Sequence, residues 1–376
     1  MNVFDVADIL VNHIKANYSE DIAIVAYYGS YAQGTANKRS DLDFFFIPAT
    51  PKGLQASIQF IIRDISFDFW PISWERAERM ALFQESQTTI IADCKLLYVR
   101  SAEDSERFMK LRETISVQQE SGNRRKLVEK SELELRNVYV HLYKLSRASD
   151  SLNLTFYRIE SHAVLTKVLH SLALLNQTYF TKGFGKNKDQ IVHLPIRPDR
   201  LESYMNTIMH SYIAADILQA CEHLTADTLE LVLAQKEQLS NAPSFPDRIK
   251  GFYEEEKGIL DKVATACEMN DYDTAYFYAV HAQEEIARFL YFAEKGYWPG
   301  ELMINSAYQS IYEQAGLPAL VSLLDSKNLS QLQAGVELLS SLLESHLKFK
   351  GVEINRFQDI EQFEVFLREN TASSLS

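Results

Sequence analysis

Gly29-Ser30 and, after ten intervening residues, Asp41 and Asp43 are the residues of this chain whose types and spacing carry chemistry. They stand in the stretch YYGSYAQGTANKRSDLDFFFI. Side chains at i and i+2 on a strand point the same way, about 6.5 Å apart. Two carboxylates so placed can converge on a hard divalent cation, which prefers oxygen ligands. A glycine lets the backbone approach a phosphate closely, and a neighbouring hydroxyl and amides can hydrogen-bond it. A third acid, Asp68, lies in the apolar run ISFDFW between Phe67 and Phe69. A carboxylate amid such neighbours needs a partner, since burying an unpaired charge is costly. If the strands are adjacent, Asp41, Asp43 and Asp68 make one acidic cluster that Mg2+ would render tolerable.

The elements that must position these residues can be read from periodicity. Val3 to Asn17 places apolar residues on one helical face. Ile22 to Ser30 is a β-branched and aromatic run ended by Gly-Ser, which predicts a buried strand and a tight turn. Leu42 to Ile47, Ile65 to Trp70 and KLLYV predict three further strands, with helices over 52–64 and from Trp74 to Gln87. A capping-box-like start at Ser101 opens another helix. Beyond it the chain reads as helical almost throughout. The expected fold class is α+β: a small mixed-sheet domain over 1–118, then all-α helical bundle regions over 119–242 and 243–376. The break Ser121-Gly122-Asn123 marks the first handover, and the segment Asn241-Ala-Pro-Ser-Phe-Pro is the best linker.

GS-x10-D-x-D between two strands, with a further Asp on a following strand, resembles the nucleotidyltransferase superfamily related to DNA polymerase beta. Within it, the chain looks most like the bacterial antibiotic nucleotidyltransferases of kanamycin and lincosamide type. The resemblance covers about residues 20–100 and, more loosely, 155–195, where a helix leads into LNQTYF and then LP. The last third matches no family named here. The resemblance implies that Gly29 and Ser30 hold the β- and γ-phosphates of a nucleoside triphosphate. It implies that Asp41 and Asp43 bind Mg2+ and that Asp68 completes the site, as a ligand or as the base for the acceptor hydroxyl. Many relatives carry Arg three residues after the Ser; this chain has Gln33, for which Lys38 or Arg39 in the connecting loop would substitute. The implied reaction is transfer of a nucleoside monophosphate from an NTP, ATP being favoured, to a hydroxyl of a small molecule such as an aminoglycoside-like antibiotic.

Composition bounds the alternatives. The chain has 376 residues, and 38 Lys+Arg against 51 Asp+Glu leave a net charge of −13. That sign opposes general binding to nucleic acid or an anionic membrane. Cys94, Cys221 and Cys267 are too few and too scattered for a disulfide framework or zinc cluster. The acidic N-terminus does not read as a secretory signal, and no apolar run approaches membrane-spanning length, so a cytoplasmic protein is expected. The alternative to an enzyme is a non-catalytic or regulatory nucleotide-binding module of antitoxin type, motivated by Gln33 and the unmatched final third. A protein or RNA acceptor is a further alternative, and the acidic charge disfavours RNA.

Weaker signals read as ordinary structure. Arg136 and His141, in an Arg-x4-His arrangement resembling the ribonuclease motif of HEPN domains, are expected on a plain helix surface. The loop bearing Lys182, Lys186 and Lys188 lacks the ending of a P-loop and reads as an interhelical connection. Arg124-Arg125-Lys126 reads as a solvated helix start, and Glu160 as a surface or salt-bridged acid.

Overall fold

The structure, a computed structural model, describes residues 2–38, 40–148, 153–239, 243–300, 302 and 307–373. It divides into two compact units, Met1–Lys236 and Glu237–Ser376.

The first unit begins with α1 (Val3–Asn17), β1 (Ile22–Tyr28) and a single helical turn, α2 (Gly29–Ala32). It continues through β2 (Asp43–Pro48), β3 (Ile58–Ile62), β4 (Ile65–Pro71), α3 (Trp74–Ala81), α4 (Thr89–Ala92), β5 (Lys95–Val99) and α5 (Ala102–Gln118). The strands form one mixed sheet in the order β3-β4-β2-β1-β5. β2 runs antiparallel to β1 and parallel to β4, and it occupies the centre. A central strand covered on both faces should be apolar on both, and Phe44, Phe45, Phe46 and Ile47 are all fully buried. Phe44 and Phe46 pack with Val3, Val6 and Ile14 of α1. Phe45 and Ile47 face the other way, into a core with Ala77 and Met80 of α3 and Phe108 and Leu111 of α5. This alternation settles the site, because Asp43 shares the face of Phe45 and Ile47 at the mouth of the strand.

One element differs from the sequence expectation. Residues 52–64 are not a helix: one 3-10 turn over Pro51–Ala56 gives way to β3, which forms a hairpin with β4. The turn uses Arg63 and Asp64, both at positive φ (48° and 65°). A two-residue hairpin of this kind is normally signalled by Asn-Gly or Asp-Gly. Arg-Asp hides it. Likewise, the helix expected over Trp74–Gln87 stops at Ala81, shortly before Phe83 at φ 58°.

The remainder of this unit is helical: α6 (Arg124–Arg136), α7 (Tyr139–Ser146), α8 (Leu154–Leu175), α9 (Lys188–Val192), α10 (Leu201–His210) and α11 (Ala214–Gln238). The long α8 packs against α6, α7 and α10 and buries Val164, Val168, Leu169 and Leu172. Buried Ser131 and Ser171 hydrogen-bond each other at 2.8 Å, satisfying hydroxyls that the α6–α8 contact removes from water.

The second unit holds α12 (Phe245–Arg248), α13 (Phe252–Glu268), α14 (Tyr272–Lys295), α15 (Ala307–Gln314), α16 (Ser330–Phe349) and α17 (Ile360–Ser373). Its core joins α13, α14 and α16 through Leu260, Ile286, Leu290, Leu339 and Leu343. Phe252 of α13 and Phe289 of α14 stack at 4.2 Å between ring centroids. Of the linker read over Asn241-Ala-Pro-Ser-Phe-Pro, Asn241 and Ala242 lie outside the described residues, and Phe245 and Pro246 open α12. No described helix is long and apolar enough to cross a membrane. All three cysteines are buried and free.

Candidate active site

The chain reverses between β1 and β2, and the reversal brings Gly29 against Asp43. Tyr28 is the register partner of Asp43. Gly29 then turns the chain at φ +75°, in the left-handed region where a Cβ is strained. A Cβ there would lie 2.0 Å from Asp43 Oδ2, so only glycine leaves room for the carboxylate.

Parallel pairing of Phe44 with Phe69 sets Asp43 beside Asp68, one residue earlier on each strand. The two acids share a face, but Asp68 is not a buried charge. Phe67 and Phe69 point into the core while Asp68, on the alternate face, is exposed and accepts a 2.8 Å hydrogen bond from Gln59 Nε2 across the hairpin. This corrects the expectation of an acid trapped among aromatics: an alternating strand has two faces, and Asp68 sits on the open one.

A cavity of about 590 Å3 opens at this strand end. Gly29, Ser30, Gln33, Asp41 and Asp43 line one side, and the turn after α8 lines the other with Thr181, Lys182 and Lys186. Asp68 is not among its lining residues. Arg39 lies outside the described residues. Gln33 donates its side-chain amide to the carbonyl of Thr181, and Thr89 Oγ1 donates to the same oxygen at 3.0 Å. The first bond fastens the lysine-bearing turn to the Gly-Ser turn, and the second fastens it to α4. Lys188 points elsewhere, to Glu202 at 2.7 Å.

The electrostatics are one-sided around Asp43. Its carboxyl is pushed up to about 6, first by burial and then by the negative charges of Asp41 and Asp68. Tyr28, also on the wall, is raised to about 12, chiefly by burial, although Trp70 Nε1 donates to its hydroxyl at 3.3 Å. Among the described residues no group of three or more His, Cys, Asp and Glu could hold a metal ion by itself. Asp41 and Asp43 nonetheless fit Mg2+, which is commonly held by one or two carboxylates with substrate phosphates and water completing its shell. Their oxygens are hard donors, and a cation would offset both the burial of the Asp43 charge and the repulsion from Asp41 and Asp68 that adds to it.

Other polar residues singled out in the sequence are occupied by structure. Glu160 accepts from Lys144 Nζ at 3.1 Å and pairs with His141 Nδ1 at 2.7 Å, which lowers its pKa, the His141 bond contributing most. Arg124 donates to Gln235, and Arg125 pairs with Glu129 at 3.2 Å. Lys182 and Lys186 are the cavity residues that sequence reasoning set aside. Their signal was present as three lysines and two glycines in seven residues, but nothing local tied them to the Gly-Ser turn.

A sheet that offers a Gly-Ser turn and an Asp-x-Asp at one strand end, backed by helices, defines a nucleotidyltransferase-like protein. Residues 8–168 match the nucleotidyltransferase domain family, and residues 105–238 match the KNTase C-terminal domain family. The chain belongs to the nucleotidyltransferase superfamily, with the kanamycin nucleotidyltransferase type of helical domain behind the sheet. The structure also resembles that of a nucleotidyltransferase-like protein from Exiguobacterium sibiricum 255-15, at 12% identity and a TM-score of 0.36, over 60% of this chain and 74% of that one. No curated protein matches the chain.

Proposed function

We propose that the protein is a Mg2+-dependent nucleotidyltransferase that moves a nucleoside monophosphate from an NTP, ATP by preference, to a hydroxyl of a small-molecule acceptor. The observation that carries this reading is the pairing of opposite chemistries across one cavity: Gly29, Ser30, Asp41 and Asp43 face Lys182 and Lys186. Gly29 and Ser30 receive the β- and γ-phosphates. Lys182 and Lys186 supply the positive charge that Gln33 does not, and Gln33 instead secures their turn through Thr181. Asp41 and Asp43 hold Mg2+, which when bound stabilises charge on the entering and leaving oxygens.

The acceptor oxygen forms a bond to the α-phosphorus as the bond from that phosphorus to the α–β bridging oxygen breaks, and pyrophosphate departs with the electron pair. The hydroxyl proton passes to a carboxylate of the acidic group, with Asp68, its exposed member, as base. Tyr28, held by Trp70 and raised by burial, stays protonated and orients by hydrogen bonding.

Isothermal titration of a non-hydrolysable ATP analogue, with and without Mg2+, tests the reading on wild type and Asp43→Asn. Mg2+-dependent binding that disappears in the variant supports a live triphosphate site. Binding without pyrophosphate release from any acceptor would favour a regulatory nucleotide-binding module, and absence of binding by all four NTP analogues would overturn both.

A further inference from the structure

A second cavity, of about 380 Å3, lies between α8 and α10. Leu165 and Leu169 of α8 line it with Met205, Ile208 and Met209 of α10, and Phe184. Its size and apolar character suit a small organic ligand. Phe184 lines the polar cleft as well, so one aromatic ring borders both spaces. Phe180, on the cleft wall, meets Phe184 edge to face at 5.4 Å and holds that ring in place. Two methionines make the far wall adaptable in shape.

The charges on these walls select among acceptors. The ionisable groups lining the second cavity are Arg158 and His162, neither of which can carry negative charge. The Arg158 guanidinium donates to the carbonyls of Ile208 and Ser211 at 2.6 and 2.7 Å, closing the end of α10 and fixing a positive charge beside the cavity. In the cleft the carboxylates are Asp41 and Asp43, already assigned to the metal, and the remaining charges are Lys182 and Lys186. Recognition of an ammonium-rich sugar needs carboxylates to receive its donors. Asp68, assigned above as base, lies outside the cleft lining, and no further carboxylate is found among the described residues lining either space.

We infer that the acceptor is an uncharged, hydroxyl-bearing amphipathic molecule rather than a polycationic aminoglycoside. Its apolar body fills the cavity between α8 and α10, and its hydroxyl reaches past Phe184 into the cleft. This rests on the transferase reading for the reaction, but the cavity's preference stands on its own lining.

Saturation-transfer NMR on the full chain tests it, with phenyl, 1-naphthyl and 4-biphenylyl β-D-glucosides as neutral probes and kanamycin as the cationic counterpart. The aryl protons should receive saturation, and binding should tighten about tenfold from the phenyl to the naphthyl probe as more apolar surface is buried. Met209→Trp, at a half-exposed position of α10, and Thr166→Trp, on the facing wall formed by α8, should each weaken the naphthyl probe at least about tenfold by filling the space. Both should leave Mg2+-dependent binding of the ATP analogue intact. No saturation of any glucoside overturns the inference, as does binding insensitive to both variants, or kanamycin acting as acceptor where the glucosides do not. If the glucosides bind and the variants block them while the ATP analogue fails to bind, the cavity assignment holds and only the transfer reaction falls.

Discussion

Gly29 and Asp43 exclude each other's alternatives. The carboxylate of Asp43 occupies the space where a side chain at position 29 would begin, 2.0 Å from its Cβ, and the backbone at φ +75° favours glycine independently. Gly34 provides the control, because it has a similar φ of +70° but nothing within 4 Å of its would-be Cβ. Gly34→Ala should therefore cost about 1 kcal/mol of stability from backbone strain and leave nucleotide binding intact. Gly29→Ala should carry the same strain and, by displacing Asp43, lose Mg2+-dependent binding by about a hundredfold or more. Thermal unfolding and titration on the pair separate the two effects.

Asp43→Asn should trade function for stability. The folded carboxyl at about 6 lies above its ordinary value of 3.8, so the ionised form is disfavoured by the fold. Wild type bears no such penalty below about pH 4, and the cost grows as pH rises through 3.8 to 6. The Asn variant should gain up to about 3 kcal/mol above pH 6, reduced by solvent screening because Asp43 is only half-buried, and little near pH 4. Mg2+ should raise the Tm of wild type and leave that of the variant unmoved.

The lysines of the 181–186 turn should act together with the residue that anchors them. Lys182→Ala and Lys186→Ala are each expected to weaken the ATP analogue about tenfold, with a loss that narrows at high salt. Gln33→Ala removes one of two bonds to the Thr181 carbonyl, and Thr89 keeps the other. A milder effect of about threefold on binding is expected, measured by the same titration.

Asp68→Asn distinguishes base from ligand. Its side chain is exposed, outside the cavity lining and already bonded to Gln59, so stability should change by less than about 1 kcal/mol. As base, its loss should lower kcat by about a hundredfold or more with nucleotide affinity unchanged. A parallel loss of Mg2+-dependent binding would assign it to the metal instead.

Glu256 gives the second unit its own pH signature. It is 5% exposed on α13, and its Oε2 has no hydrogen-bond partner among the described residues. Burial, followed by the charges of Glu285 and Glu255, pushes its carboxyl up to about 7 from 4.5. A raised carboxyl destabilises the fold as pH climbs from 4.5 to 7, by up to about 3 kcal/mol. Glu256→Gln should raise the Tm at pH 8 and change it little at pH 4.5 or below, as scanning calorimetry at the two pH values would report.

Much of the site could be read in the chain because its first part is local. Gly29 and Ser30 follow β1 directly, and Asp41 and Asp43 stand at the start of β2, the strand that pairs with it, so their spacing already implies their proximity. The apolar run from Phe44 to Ile47 likewise announces a central strand, since only burial on both faces tolerates it. Asp68 was legible as a neighbour of Asp43 but not as an exposed one, because its run of aromatics conceals which of them turn inward. β3 was illegible because Arg63 and Asp64 adopt a turn their residue types do not favour.

The amino-acid sequence by itself determined the acidic edge of the candidate site: residue types at fixed spacing where two adjacent strands end and begin, so that register brings the ends together. Tertiary structure alone decided the basic edge. Lys182 and Lys186 reach the cleft through the packing of α8 and the bonds of Gln33 and Thr89 to Thr181, more than a hundred residues away from the first of these partners. Chain spacing controls neighbours within a hairpin, whereas contacts at that separation exist only once the helices have packed against the sheet.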